Sequence, residues 1–293
     1  MPTKGIVLAG GTGSRLFPAT LGLSKQLLSV YDKPMIYYPL ATLMSAGIRS
    51  ICVIVNEPEV ELFKKLLNDG SQWGIKIEFC IQESPEGIPQ AFTIAEKFLD
   101  GNNVALILGD NLFIGHGLGR SLAKVISPNG AHIFLYEVER PENYGVPVFD
   151  ENMKITKLTE KPENPKQNLA VPGLYFFDHT VVDRARKLKK SKRGEYEIVD
   201  LLQSYADEER LTYTELSRGT AWLDTGTPED LFNAGEFVRV IQQRQGSFIA
   251  CLEEIAYRNG WISFEILTSQ QKKMEKSPYG SYLHRLISRE ALQ

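Results

Sequence analysis

Cysteine and histidine are scarce, with three and four residues in a chain of 293. Cys52, Cys80 and Cys251 have no zinc-ligand spacing, and an odd number cannot pair fully. They read as small apolar core residues in a reducing compartment. Nucleophilic catalysis by a Ser–His or Cys–His pair finds no support, because His116, His132, His179 and His284 fall outside every motif described below. Long hydrophobic runs are missing: none approaches the ~20 residues that span a bilayer, and no basic-plus-apolar leader is visible. The expectation is a cytoplasmic protein with no membrane contact. An excess of one charge is missing too. A net charge of −3 gives no general attraction to nucleic acid, so an anionic ligand must be held by a local cluster of cations and backbone amides. Hydrophobic content of 43% and charged content of 24% are ordinary for a globular chain that buries a full core.

Apolar, β-rich runs at residues 5–9, 50–55, 76–81, 104–108 and 132–137 alternate with helical spacing at 35–46, 59–67, 90–98 and 118–125. Continuous apolar strands separated by such helices predict an α/β fold with a mostly parallel sheet covered on both faces. From about 143 to 216 the chain changes character, with short strands at 154–159 and 174–177, Pro-rich turns and a helix from about 196. This stretch predicts a small mixed insertion roofing the sheet. Thr227-Pro228 reads as an N-cap followed by proline at the first helical position, opening a helix over 229–245. The division expected is a core over 1–228, which includes the insertion, and a C-terminal helical segment over 229–293.

Ligands of α/β folds sit at the carboxyl ends of the strands, and two segments rich in reactive groups fall there. Leu8-Ala9-Gly10-Gly11-Thr12-Gly13-Ser14-Arg15-Leu16 closes the first strand. Its glycines let the backbone turn sharply and aim several N–H groups at one anion. Leu16 replaces the third glycine of a dinucleotide fingerprint, and no Gly-Lys-Ser/Thr follows as in a Walker A loop. With Arg15 and Lys25 close by, the cradle suits a triphosphate; taken alone it is a glycine-rich turn. Leu108-Gly109-Asp110-Asn111 follows another buried strand, and Ala221-Trp222-Leu223-Asp224-Thr225-Gly226-Thr227 offers a second framed aspartate. Either could be an ordinary turn residue. Together Asp110 and Asp224 could converge on Mg²⁺, which takes a few carboxylates plus phosphate oxygens. Glu160-Lys161-Pro162 closes a short strand and reads as either a surface corner or part of the ligand edge.

As a set these motifs resemble the sugar nucleotidyltransferase family, specifically its glucose-1-phosphate thymidylyltransferases. The resemblance is carried by residues 10–16, by Ser24-Lys25-Gln26-Leu27-Leu28, and by the long run Tyr31-Asp32-Lys33-Pro34-Met35-Ile36-Tyr37-Tyr38-Pro39-Leu40. Asp69-Gly70-Ser71-Gln72-Trp73-Gly74, residues 108–111, 160–162, 171–175 and 222–227 extend it, in order, from about residue 4 to 260. It implies a Rossmann-like mixed sheet with helices on both faces, magnesium dependence and a homotetramer. The substrates implied are dTTP and glucose 1-phosphate, feeding deoxysugar-nucleotide biosynthesis. It implies nucleotide binding by Leu8, Gly10, Gly11, Thr12, Gly13, Arg15, Lys25, Gln26, Gln82, Gly87 and Asp110, with Gln82 reading the base. Sugar binding falls to Tyr144, Gly145, Glu160, Lys161 and Val171, metal binding to Asp110 and Asp224, and catalysis to Arg15, Lys25, Asp110 and Lys161. The segment 251–258 matches a second, allosteric nucleotide site in the family's longer members.

The chemistry implied needs no general base, because a sugar phosphate is already ionised. Its difficulty is repulsion between two anions, which cations relieve. A Gln amide offers one acceptor beside one donor. It suits thymine or uracil and does not separate them, so a UTP-dependent enzyme remains an alternative, as does a binding protein without turnover. The chain departs from the family at Ile88-Pro89, Pro147-Val148 and Pro172. Ile88 and Pro172 flank the expected sugar pocket, which leaves open a related sugar 1-phosphate.

Overall fold

The architecture, seen in a computed structural model that describes residues 1–291, follows from strands buried on both faces. In the first strand, Thr3–Leu8, Val7 faces one hydrophobic cluster and Ile6 the other. Along Ser50–Val55, Ile51, Val53 and Val55 alternate with Cys52 and Ile54 in the same way. Successive side chains point to opposite faces, so a run without polar residues fills two cores at once.

Eight strands make the central sheet. Their spatial order is Leu169–Ala170, Ala131–Glu137, Leu174–Phe177, Asn103–Leu108, Thr3–Leu8, Ser50–Val55 and Lys76–Ile81, with Leu211–Glu215 joining alongside Ala131–Glu137. The last four of that path are parallel to one another, whereas Leu174–Phe177 runs antiparallel to both neighbours. The expected mixed, mostly parallel sheet is what the chain forms. The stretch expected to roof it behaves differently. Only the hairpin Gly145–Phe149 with Ile155–Glu160 stands apart as its own two-stranded sheet. Leu174–Phe177 and Leu211–Glu215 enter the central sheet instead. The sequence Leu-Tyr-Phe-Phe is buried throughout and requires cover on both faces, which only the central sheet supplies.

The helix expected over 35–46 starts at Tyr37 and ends at Ser45. Met35 and Ile36 are taken out of it because their N–H groups donate to the carbonyls of Leu28 and Gln26. The helix expected over 90–98 is two short ones, Gln90–Ile94 and Glu96–Leu99, meeting at Ala95. The long helix Pro228–Gln245 opens as the sequence indicates. Thr227 accepts from the Asp230 N–H and Asp230 accepts from the Thr227 N–H, a closed capping box with proline at the first turn.

Three further helices, Leu252–Arg258, Phe264–Lys273 and Pro278–Glu290, pack on one face of the core. Leu252, Ala256, Leu267 and Leu283 share a cluster with Leu43, Met44 and Trp73. Two polar pins fasten this tail. The Trp73 indole donates to the buried Glu253 carboxylate at 2.9 Å. Lys33, only 3% exposed, sits 2.6 Å from Asp32 Oδ1 and 3.2 Å from Gln242 Oε1. Its ammonium faces the rings of Tyr38, Phe248 and Tyr279 at 5.4, 5.5 and 5.9 Å, favourable contacts for a cation with little water. Burial draws its pKa down and the Asp32 charge opposes that. Among the described residues no helix is long and apolar enough to cross a membrane.

Removing Asp32 strands this ammonium. Asp32→Ala is expected to lower unfolding free energy in urea by about 2–4 kcal/mol, because a buried charge loses its partner. Lys33→Met, which keeps the stem packed and removes the charge, should cost less. Equal losses in the two variants would exclude the ion pair as the cause.

Candidate active site

The glycine loop leaves the first strand at the carboxyl edge of the parallel sheet. Gly11 and Gly13 have φ of +99° and +58°, values that strain any residue with a Cβ. Gly10 is required for another reason: a methyl group there would lie 2.0 Å from Gln82 Oε1. Asn56, at the end of Ser50–Val55, clamps the loop sideways. Its Nδ2 donates to the Gly11 carbonyl at 2.9 Å and its Oδ1 accepts from the Gly11 N–H at 3.3 Å. The cleft beneath has a volume of about 240 Å³ and is lined by Gly10 to Leu16, Lys25, Gln26, Asp110 and Gly226. Arg15 is exposed, and its guanidinium lies against Gly226, where a Cβ would come within 3.0 Å of Nη1.

Asp110 is held at every oxygen. Lys25 Nζ lies 2.7 Å from Oδ2, and Asn111 Nδ2 donates to Oδ1 at 2.9 Å. Asn111 cannot turn its amide around, because its own Oδ1 accepts from the Gly173 N–H at 3.0 Å and the Trp222 indole at 2.7 Å. Both of those partners can only donate. The Asp110 carbonyl takes the Thr225 N–H at 3.2 Å and its hydroxyl at 2.9 Å. This bonding continues an antiparallel pair, Asn111–Gly115 with Thr220–Asp224, in which Asp224 stands opposite Asn111. The pairing brings the second acid to the first. Burial and the Asp110 charge push the Asp224 carboxyl up to about 6, against the pull of Lys25 and Arg15.

A second cavity of about 300 Å³ adjoins the cleft; Arg15 lines both, and Asp224 lines the second. Gly145 and Glu160 face each other across the roofing hairpin, and the Val171 N–H donates to the Gly145 carbonyl at 2.9 Å. Tyr144 lies on Trp222, with ring centroids 4.9 Å apart. Burial raises the Glu160 pKa while Lys161 opposes. The Lys161 side chain is 53% exposed, and its Nζ lies 3.9 Å from Glu160 Oε1. Gly87 (φ +108°) touches the Tyr196 backbone, where a Cβ would clash at 2.1 Å. Ile88 lines this cavity.

The expected residues therefore line the cleft or the second cavity, with two exceptions. Leu8 packs in the core below the cleft, its carbonyl accepting from the Gly109 N–H at 2.9 Å, because it is the last residue of a buried strand. Gln82 is 4% exposed and stands behind Gly10. Arg193, Glu195, Tyr196 and Glu197 line the second cavity and escaped the sequence reading. Arg193 closes a lysine-rich stretch, 187–193, that looks like a solvated surface. The one available signal for Asn56 was an amide directly after a fully apolar strand. His132, buried on the strand Ala131–Glu137, has its pKa drawn down to about 4 by burial.

Among the described residues no group of three or more His, Cys, Asp or Glu side chains could hold an ion. Two carboxylates that need phosphate oxygens to complete the shell fit Mg²⁺ in that way. A larger cavity, about 740 Å³, lies between the helices Tyr37–Ser45, Pro228–Gln245 and Leu252–Arg258, with His116, Arg120, Ile255 and Arg258 on its wall.

A glycine cradle, three cations and two acids at the carboxyl edge of an α/β sheet form a cleft suited to a polyphosphate beside a smaller polar ligand. The chain belongs to the nucleotidyl transferase family, which matches residues 4–240. It is 51% identical over 98% of its length to the whole of the Neisseria meningitidis glucose-1-phosphate thymidylyltransferase. It is 50% identical, also over 98%, to 99% of the Mycobacterium tuberculosis protein of the same name. Among solved structures, a Bacillus anthracis chain in complex with sucrose superposes with a TM-score of 0.74 at 36% identity, covering 81% of this chain and 95% of that one. A UDP-glucose pyrophosphorylase with UDP-glucose gives 0.72 at 23% identity, covering 82% of this chain and all of that one, a likeness of fold.

The contact at Gly10 supplies a test of the cradle. Gly10→Ala is expected to weaken binding of a nucleoside triphosphate at least about tenfold by calorimetry, or about 1.4 kcal/mol, with the fold retained but a lower thermal midpoint because the buried Gln82 amide must shift. Unaltered affinity would place the ligand away from this loop.

Proposed function

We propose that this protein joins dTTP to glucose 1-phosphate, giving dTDP-glucose and pyrophosphate. The observation that carries the reading is close identity, over nearly the whole chain, to glucose-1-phosphate thymidylyltransferases. The site geometry supports it, since a cleft sized for phosphates and a cavity sized for a sugar meet at Arg15, with Asp110 lining the first and Asp224 the second. A phosphate oxygen of the sugar 1-phosphate attacks the α-phosphorus. The new O–P bond forms as the α–β bridge bond breaks, and pyrophosphate leaves with the bonding pair. The nucleophile is already ionised, so the residues have no proton to remove. Their work is to hold two anions together.

In this reading the loop amides, Arg15 and Lys25 hold the triphosphate. Glu160 and the backbone at Gly145 and Val171 hold the sugar hydroxyls. Lys161, with Arg193 in the lining of the same cavity, takes the sugar phosphate. Lys161 has room to do so, being half exposed and only loosely paired. Asp110 and Asp224 would hold Mg²⁺, which supplies charge neutralisation and a template for both reactants when bound. Lys25 lies 2.7 Å from Asp110 and lines the same cleft, which puts its ammonium beside the phosphates. The larger cavity is assigned to a second, regulatory nucleotide, on the strength of its size and its arginines at 120 and 258.

Pyrophosphate release with dTTP, glucose 1-phosphate and Mg²⁺ tests the reaction, and no turnover by folded protein would refute it. Running UTP and other sugar 1-phosphates in parallel decides the uridylyl alternative and the effect of Ile88 and Pro172. Asp110→Asn and Asp224→Asn should each lower kcat by about 10²–10³-fold with the fold retained; near-normal rates in both would remove the metal assignment.

The raised Asp224 pKa adds a pH dependence with a definite sign. Its folded pKa, about 6, lies above the ordinary 3.8. The carboxyl therefore takes up a proton as pH falls through 6, and metal affinity should drop about tenfold per unit below that point. Metal-free protein should in the same window, from 6 down to 3.8, gain stability, because the native state binds the extra proton. Titration of Mg²⁺ affinity from pH 7.5 to 5 checks this, and a flat profile would contradict it.

A further inference from the structure

Gln82 ends the strand Lys76–Ile81, its backbone N–H fixed to the Val55 carbonyl at 2.8 Å. Its side chain is nearly sealed from solvent, with Oε1 directly over the Cα of Gly10 at the head of the phosphate loop. Its Nε2 donates to Gln90 Oε1 at 2.8 Å. That same Gln90 oxygen accepts from the Glu86 N–H at 3.1 Å. A backbone N–H can only donate, so the Gln90 atom between these two partners must be its oxygen. The group of Gln82 facing it must then be the nitrogen. One backbone hydrogen thus dictates, through Gln90, which way round the Gln82 amide stands.

That orientation has a chemical consequence at the base. Thymine presents N3–H as a donor flanked by carbonyl acceptors. Cytosine presents N3 as an acceptor beside an amino donor. An amide free to rotate half a turn satisfies either base, since its donor and acceptor exchange places. An amide fixed in one sense satisfies only one order and sets acceptor against acceptor with the other, a mismatch that leaves buried groups unpaired. We infer that Gln90 is a positioning residue for base selection: it locks the Gln82 amide against rotation, so that the enzyme accepts thymine or uracil and refuses cytosine. This inference rests on the reading of Gln82 as the residue that meets the base, a role the family resemblance implies. Gln90 sits at the first position of the short helix Gln90–Ile94, whose approach is set by the turn at Gly87, so the lock belongs to the same wall that borders the sugar cavity.

The test is the ratio of kcat/KM for dTTP to that for dCTP, with glucose 1-phosphate saturating. Gln90→Leu removes the lock and should lower the ratio at least about tenfold, through a gain with dCTP relative to dTTP. Gln90→Glu keeps an oxygen that accepts from both partners and should hold the ratio within about threefold of wild type. Gln90→Met replaces the leucine variant if that one does not fold. A purely structural role would lower both substrates alike and leave the ratio unchanged, and that result overturns the inference; so does a glutamate variant as permissive as the leucine one. Gln82→Ala separates the two layers. If it loses discrimination while Gln90→Leu keeps it, only the lock is wrong. If Gln82→Ala keeps the wild-type ratio, or if wild type uses both nucleotides equally, the base-reading assignment fails and the lock fails with it.

Discussion

Two carboxylates cannot stand side by side in a half-buried cleft without a cation or a proton between them, and the site is organised around that constraint. Asp110 meets it with the Lys25 ammonium and with the Asn111 amide on its other oxygen. Asp224, with no such direct partner among the described residues, meets it through its raised affinity for a proton. The surrounding structure keeps this balance in place. Asn111 is oriented by Gly173 and Trp222, Trp222 is covered by Tyr144, and the Asp110 backbone is bonded to Thr225. A change at any of these positions therefore reaches the acids without touching them.

Sheet topology explains why the contributing segments arrive together. Parallel strands all end at one edge, which brings the glycine loop, Asn56, Gln82 and Asp110 into a row. The reversed strand Leu174–Phe177 begins at that edge, so the backbone at 171–173 enters the site from the opposite direction. The hairpin carrying Gly145 and Glu160 then closes the far side. The reversal of Leu174–Phe177 in a mostly parallel sheet is what allows a single edge to serve both a phosphate cleft and a sugar cavity.

Much of this was legible in the sequence. Apolar runs marked the central strands because burial on both faces leaves no polar positions, and Thr227-Pro228 marked the long helix because its capping groups are local. The loop glycines and the two aspartates stood out through their position after such runs. What escaped was whatever depends on partners distant in the chain. The strand Asn111–Gly115 exists through its pairing with Thr220–Asp224, and Leu174–Phe177 reads equally well as part of an insertion until its neighbours are known. Arg193 is indistinguishable from the lysines before it, since nothing local records which of these cations turns inward. Leu8 was placed at the ligand by its motif, but it sits one residue too early for its side chain to leave the core.

The pairing of Asn111–Gly115 with Thr220–Asp224 also sets where this protein tolerates changes of length. Strand residues alternate sides, so a slip of one position there would turn Asp224 away from the cleft and break both bonds from Thr225 to the Asp110 carbonyl. A single inserted or deleted residue within either strand is therefore disabling. The chain between them, from 116 to 219, contains connections whose length does not enter that register. A change of length in such a connection leaves the pairing intact, whereas the two short strands are confined to fixed spacing.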